Sequence, residues 1–149
     1  MSSSEQRCPL RYWIALLSIL LTLAAPAARA EIVLVTAIDS TVSELSRDEA
    51  EQLYMGRRAT VSARGALLLL DLPTGPIRDQ FYYLLTGKNP SQIRAYWSRM
   101  VFTGRALPPT ESADVSDAYR MLMENPNAIA YLPSTYANDP GLRVLLRLE

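Results

Sequence analysis

The 149-residue chain has no histidine, and its only cysteine, Cys8, lies near the start. Downstream of Cys8 there is no imidazole and no thiol to serve as general base, nucleophile or soft metal ligand. The carboxylates show no calcium-loop spacing, so an all-oxygen metal site has no sequence support. These gaps argue against an enzyme and against any cofactor or metal, and a disulfide is excluded. Charge of one sign is lacking too, with 15 basic and 15 acidic residues. Without a basic block, nucleic acid is a poor partner. There is no internal repeat and no low-complexity tract.

What the chain does have begins with a leader. Arg7 and Arg11 form a positive n-region, residues 13–25 are apolar, and Ala28-Arg29-Ala30 reads as a cleavage site. The pattern predicts a secretory signal peptide over residues 1–30, cut before Glu31. The apolar run is short for a membrane span, which needs about 20 residues. Losing Arg7, Arg11, Arg29 and Glu5 leaves 12 basic and 14 acidic residues, a net charge of −2. Residues 31–149 then suffice for one domain with its own core and not for two. With no cysteine left, that core alone must hold the domain together.

Residues 31–38 are β-branched and apolar and predict a strand. Ser46-Arg47-Asp48-Glu49 matches a capping box for a helix that runs to about Met55 and stops at Gly56. Residues 57–65 form a polar loop with Arg57, Arg58 and Arg64. Next comes the stretch around which the rest is organised. Ala66–Leu70 is a short apolar run ending at Asp71, Pro73-Thr74-Gly75-Pro76 is turn chemistry, and Ile77, Phe81, Leu84 and Leu85 fall on one helical face closed by Gly87. That is a strand, a tight loop and a helix, and a strand apolar on both faces implies a sheet covered on both sides. Asn89-Pro90-Ser91-Gln92 opens another helix, with a stripe of Ile93, Tyr96, Trp97, Met100 and Val101 and a stop at Gly104. Residues 105–112 read as an extended connector and 114–124 as a helix with Val115, Ala118, Tyr119, Leu122 and Met123 on one face. Residues 128–132 form a short buried strand. In 142–148, Leu142, Val144, Leu146 and Leu148 alternate with Arg143 and Arg147, which predicts a half-exposed edge strand. The order β-α-β-α-α-α-β-β indicates an α/β fold with a small mixed sheet flanked by helices.

In open α/β folds ligands bind where strands end and helices begin. A helix N-terminus there also offers free N–H groups and a favourable dipole to an anion. Thr74, Gly75, Ile77 and Arg78 are therefore the candidate ligand-binding residues, contributing a hydroxyl, backbone N–H groups and a guanidinium fork. The plain alternative is an ordinary turn, with Arg78 solvated or paired to Asp79 or Asp71. Arg57 and Arg58 follow a helix C-terminus, where the dipole favours cations; the sharper reading is a basic rim facing an acidic partner or ligand. Tyr96, Trp97 and Phe102 fit a core at helical spacing better than a stacking surface. Tyr82, Tyr83 and Tyr136, if exposed together, would mark an interface.

The segments 45–58 (LSRDEAEQLYMGRR), 71–87 (DLPTGPIRDQFYYLLTG), 95–109 (AYWSRMVFTGRALPP) and 125–133 (NPNAIAYLP), in this order, resemble the periplasmic phosphate-binding proteins of ABC transporters. They resemble more closely the short, single-lobe relatives of that family. Leu45, Ser46, Leu53, Tyr54 and Gly56 fit the family's first motif, and Pro126 to Tyr131 are similar to its P-G-A-I-G-Y strand. The resemblance covers most of residues 31–136. It implies a single lobe of a type II periplasmic-binding-protein fold, placed in the periplasm. The implied function is a solute-binding-like component of phosphate or oxyanion uptake of the ABC type, with a small oxyanion such as phosphate as ligand.

Two departures stand out. The full family has two lobes, and residues 31–149 have the length of one. The family's R-x-x-x-S-G-T loop is replaced by one in which Asp71 holds the arginine's place, where it repels an anion, and Pro76 removes an N–H. A half-cleft implies a weak site or a homodimer. The competing reading is a ligand-free interaction module that binds a membrane sensor, a transporter or an outer-membrane protein.

Overall fold

The computed structural model describes residues 31–58 and 66–149. The signal peptide expected over residues 1–30, and Arg64 with most of its loop, lie outside the described residues. Among the described residues no helix is long and apolar enough to cross a membrane.

The chain runs through β1 (Ile32–Ala37), α1 (Arg47–Tyr54), β2 (Leu68–Asp71), α2 (Pro76–Thr86), α3 (Pro90–Phe102), β3 (Thr110–Glu111), α4 (Val115–Glu124), β4 (Ala128–Pro133) and β5 (Leu142–Leu148). The strands make one five-stranded mixed sheet in the order β3-β2-β4-β1-β5. β2 pairs parallel with β3 and β4, whereas β1 pairs antiparallel with β4 and β5. The mixed sheet and the edge position of β5 are as the pattern predicts. β3 is a strand inside what reads as a connector. With only two residues, both exposed, it leaves no hydrophobic alternation to detect.

Helix starts follow local chemistry. At α1 the Glu49 N–H donates to Ser46 Oγ at 3.2 Å and the Ser46 N–H to Glu49 Oε2 at 3.0 Å. At α3 the same reciprocal pair joins Asn89 and Gln92 at 2.9 and 3.0 Å. Asp114 caps α4 by accepting from the Asp117 N–H at 2.8 Å. Each pair satisfies helix N–H groups that would otherwise lack partners.

The most deeply buried strands are β1 and β4, not β2. Every residue of β1 is buried, while Leu68 and Leu69 of β2 stay half-exposed. A full cover over both faces of β2 is thus corrected: Leu67–Leu69 floor a depression of about 510 Å³ rimmed by Arg57, Arg58 and Arg105. In β5 the alternation is broken as well. A register shift against β1 between Leu34 and Val35 leaves Leu145 as an extra residue, and the buried positions become Leu142, Leu145 and Leu148. A bulge of this kind advances the side-chain period by one, a step no sequence pattern announces.

The core is aromatic where α1, α2 and β4 meet. The Phe81 and Tyr131 rings stack with centroids 3.7 Å apart, and Tyr54 meets Phe81 edge-on at 4.8 Å. Tyr54 is fully buried, so its hydroxyl needs acceptors. It reaches the Leu70 and Ile129 carbonyls at 3.2 Å each and so ties α1 to both β2 and β4. Gly56 is required after α1, because φ is 64° and a Cβ would come within 2.8 Å of Ala106 Cβ and 3.0 Å of the Trp97 ring. That close approach seats the residue-106 connector against α3.

Candidate functional site

β2 ends at Asp71, and the chain turns through Leu72–Gly75 into α2. β3 ends beside it and leads through Ser112 into α4. The Ser112 N–H and hydroxyl both donate to the Asp71 carbonyl, at 2.9 and 3.0 Å, which clamps the two strand ends together. The first turns of α2 and α4 therefore lie side by side. Between them is a depression of about 200 Å³ lined by Leu72, Pro73, Thr74, Gly75, Pro76, Ile77, Arg78, Asp114 and Val115. All four sequence-predicted binding residues are among its walls.

The α2 N-terminus is uncapped by any side chain, since Gly75 has none to offer. Pro76 carries no N–H, and the Asp79 N–H is already bonded to the Gly75 carbonyl at 2.9 Å. The Ile77 and Arg78 N–H groups make no hydrogen bond to other described residues. Asp114 is the opposing charge: it lines the same depression while its carboxylate caps α4.

Asp71 does not line this depression. Its carboxylate is buried and fully engaged: Oδ2 accepts from Arg78 Nε at 3.0 Å and from the Tyr82 hydroxyl at 3.1 Å, and Oδ1 accepts a short bond from the Tyr131 hydroxyl. Tyr131 in turn accepts from the Leu72 N–H at 2.9 Å. Arg78 and Tyr82 are four residues apart on α2 and so share a face; the guanidinium lies 4.9 Å from the Tyr82 ring centroid. Burial, and after it Asp71, pushes the Tyr82 and Tyr131 phenols well above their ordinary value. For Arg78, burial works against the charge and the facing Asp71 outweighs it, so its pKa rises. The cluster is thus a salt bridge with two protonated phenols donating into it.

The cluster revises the sequence expectation that Asp71 repels an anion at the loop. Its charge is turned away from the loop and matched by Arg78. Arg78 is held through Nε alone, and its two terminal nitrogens have no hydrogen-bond partner among the described residues. It lines the depression beside Thr74 and also a larger groove of about 700 Å³ between α3 and β3.

The other singled-out residues separate. Arg57 and Arg58 sit past the end of α1, loosely paired with Glu51 at 3.5 Å and Glu49 at 3.8 Å. Trp97 is core, as its spacing predicts, but its Nε1 is buried without a hydrogen-bond partner among the described residues. Phe102 is 91% exposed, and Val101 is 48% exposed, so neither belongs to the core stripe. The three tyrosines do not form one surface: Tyr82 is buried, Tyr136 half-buried and only Tyr83 exposed. Sequence reasoning missed Tyr131 and Tyr82 as partners of Asp71. An acid ending an apolar strand, with arginine seven residues later, is the one signal that could have found the cluster. Among the described residues, no three His, Cys, Asp or Glu side chains gather as a metal site would need.

This architecture is one lobe of a periplasmic-binding-protein fold. A structure from Clostridium perfringens, described as a phosphate ABC transporter substrate-binding protein with bound phosphate, matches with a TM-score of 0.60 at 17% identity, covering 78% of this chain and 45% of that one. An ABC-type phosphate transport receptor from Vibrio cholerae matches with a TM-score of 0.59 at 12% identity, covering 78% of this chain and 46% of that one. The chain spans less than half the length of either. No protein-family model and no curated protein matches it.

Proposed function

We propose that the chain is an exported, non-enzymatic, solute-binding-like protein whose α2 N-terminus receives a small oxyanion, phosphate being the first candidate. The observation that carries this reading is the pairing of two N–H groups, on Ile77 and Arg78, uncommitted among the described residues, with an arginine whose Nε is fixed by Asp71 and whose terminal nitrogens have no partner among those residues. A locked guanidinium loses less conformational entropy on binding than a free one. Thr74 adds a hydroxyl at the exposed lip. The likeness to phosphate-binding proteins lends support at the level of the fold. An open depression of this size buries little of its ligand, so affinity at this lobe alone is weak.

The test is titration calorimetry of the exported, processed protein with inorganic phosphate, at low and moderate salt, with sulfate as control. Saturable heat that falls in Thr74→Ala and in Arg78→Lys supports the site, since neither change removes a core residue. If millimolar phosphate gives no heat and no rise in melting temperature, the oxyanion reading is lost.

A further inference from the structure

We propose that the groove between α3 and β3 is the seat of a second copy of this chain, joined about a two-fold axis. Trp97, Val101 and Phe102 on one wall and Pro108 and Pro109 on the other line this groove of about 700 Å³. Phe102 stands 91% exposed at its lip, and the neighbouring connector presents Leu107 at 79%. Large apolar side chains projecting together on a small domain mark a contact surface.

The charges name the occupant. Arg94 from α3 and Glu111 from β3 both line the groove. Neither makes an ion pair with the other or with any other described residue. A two-fold contact sets one patch against itself, so residue i of one copy meets residue j of the other and j meets i. A patch holding one unpaired cation and one unpaired anion beside an apolar centre is complementary to its own copy. The main rival is an anionic lipid surface, because residues 88–110 hold Lys88, Arg94, Arg99 and Arg105 and no acid. Glu111 in the groove opposes that occupant, and a concave apolar wall suits an inserted Phe102 ring better than a bilayer. β3 adds a geometric reason: it is the outermost strand, both of its residues are exposed, and no described strand pairs with its outer edge. Two such edges related by a two-fold axis run antiparallel and can pair. Arg78 lines this groove as well, so the second copy covers the arginine from the side away from Thr74.

Sedimentation equilibrium of the exported protein, without phosphate, tests this apart from any ligand. We expect a dimer–monomer equilibrium between about 1 and 100 µM. Phe102→Ser should weaken association at least tenfold while circular dichroism stays unchanged, because the ring is exposed. Arg94→Glu and Glu111→Arg should each weaken it, and both changes in one chain should restore it. A monomer at every concentration overturns the proposal, as does a dimer indifferent to Phe102→Ser. Failure of the double variant to recover also overturns it. Binding of monomeric protein to phosphatidylglycerol vesicles, lost in Phe102→Ser, assigns the face to lipid and overturns it too.

Discussion

Replacing Asp71 by alanine tests the buried cluster most directly. The change strips an acceptor from three donors at once: Arg78 Nε, the Tyr82 hydroxyl and the Tyr131 hydroxyl. The Asp71 and Arg78 side chains are only 5% and 13% exposed, so water restores little of what is lost. Breaking one side of such a buried pair costs about 3–5 kcal/mol. Arg78→Ala is milder, because Asp71 keeps both phenols; a cost of about 1–3 kcal/mol follows from the loss of one charge-assisted bond. The double variant should cost about 1–3 kcal/mol less than the sum, since the two residues share one interaction. Urea unfolding followed by Trp97 fluorescence and circular dichroism reads all three values. Trp97 is the only tryptophan in residues 31–149, so in that segment its signal needs no deconvolution. An Asp71→Ala cost below about 1 kcal/mol, or strict additivity, would refute the claim that this carboxylate organises the site.

Three further outcomes follow from the same structure. Burial raises the Tyr54, Tyr82 and Tyr131 pKa values above 10.0. The folded state therefore favours the protonated phenols: their contribution to stability is complete below about pH 10 and falls above it as the unfolded chain ionises, so urea midpoints should decline on the alkaline side. Ultraviolet titration at about pH 11 should then show fewer tyrosinates in native than in unfolded protein. Gly56→Ala must place a Cβ at φ 64° and 2.8 Å from Ala106 Cβ; a loss of about 2–4 kcal/mol in unfolding free energy is expected. Asn89→Ala removes the α3 capping box and should cost about 1 kcal/mol in the same assay, with no effect on phosphate titration.

How much was legible in advance depended on whether the information was local. Ser46 with Glu49 and Asn89 with Gln92 bond within three residues, so the starts of α1 and α3 are written in the chain. Gly87, at φ 71°, closes α2 for an equally local reason. The helical stripe containing Ile93 and Trp97 identified core residues correctly, but its last member, Val101, and the adjoining Phe102, also expected in the core, are exposed. Thr74, Gly75, Ile77 and Arg78 could be chosen as a group because a strand, a turn and a helix N-terminus follow one another within fifteen residues. Periodicity failed at Leu145, where an inserted residue reverses the alternation, and at β3, which is too short to have any.

The sequence by itself determined the helix caps, the turn that ends β2, the absence of imidazole and of any thiol after Cys8, and the α/β alternation of elements. These rest on contacts a few residues long or on composition. Tertiary structure alone decided that Asp71 faces inward, because two of its three donors are remote: Tyr82 lies 11 residues away on α2 and Tyr131 lies 60 residues away on β4. It also decided that Arg78 is anchored through Nε by Asp71, and that Arg94 and Glu111 come to share one groove. The physical reason is the same in each case. A charge beside a loop reads as attraction or repulsion only until the fold supplies its partners, and those partners sit on strands and helices that meet only when the sheet assembles.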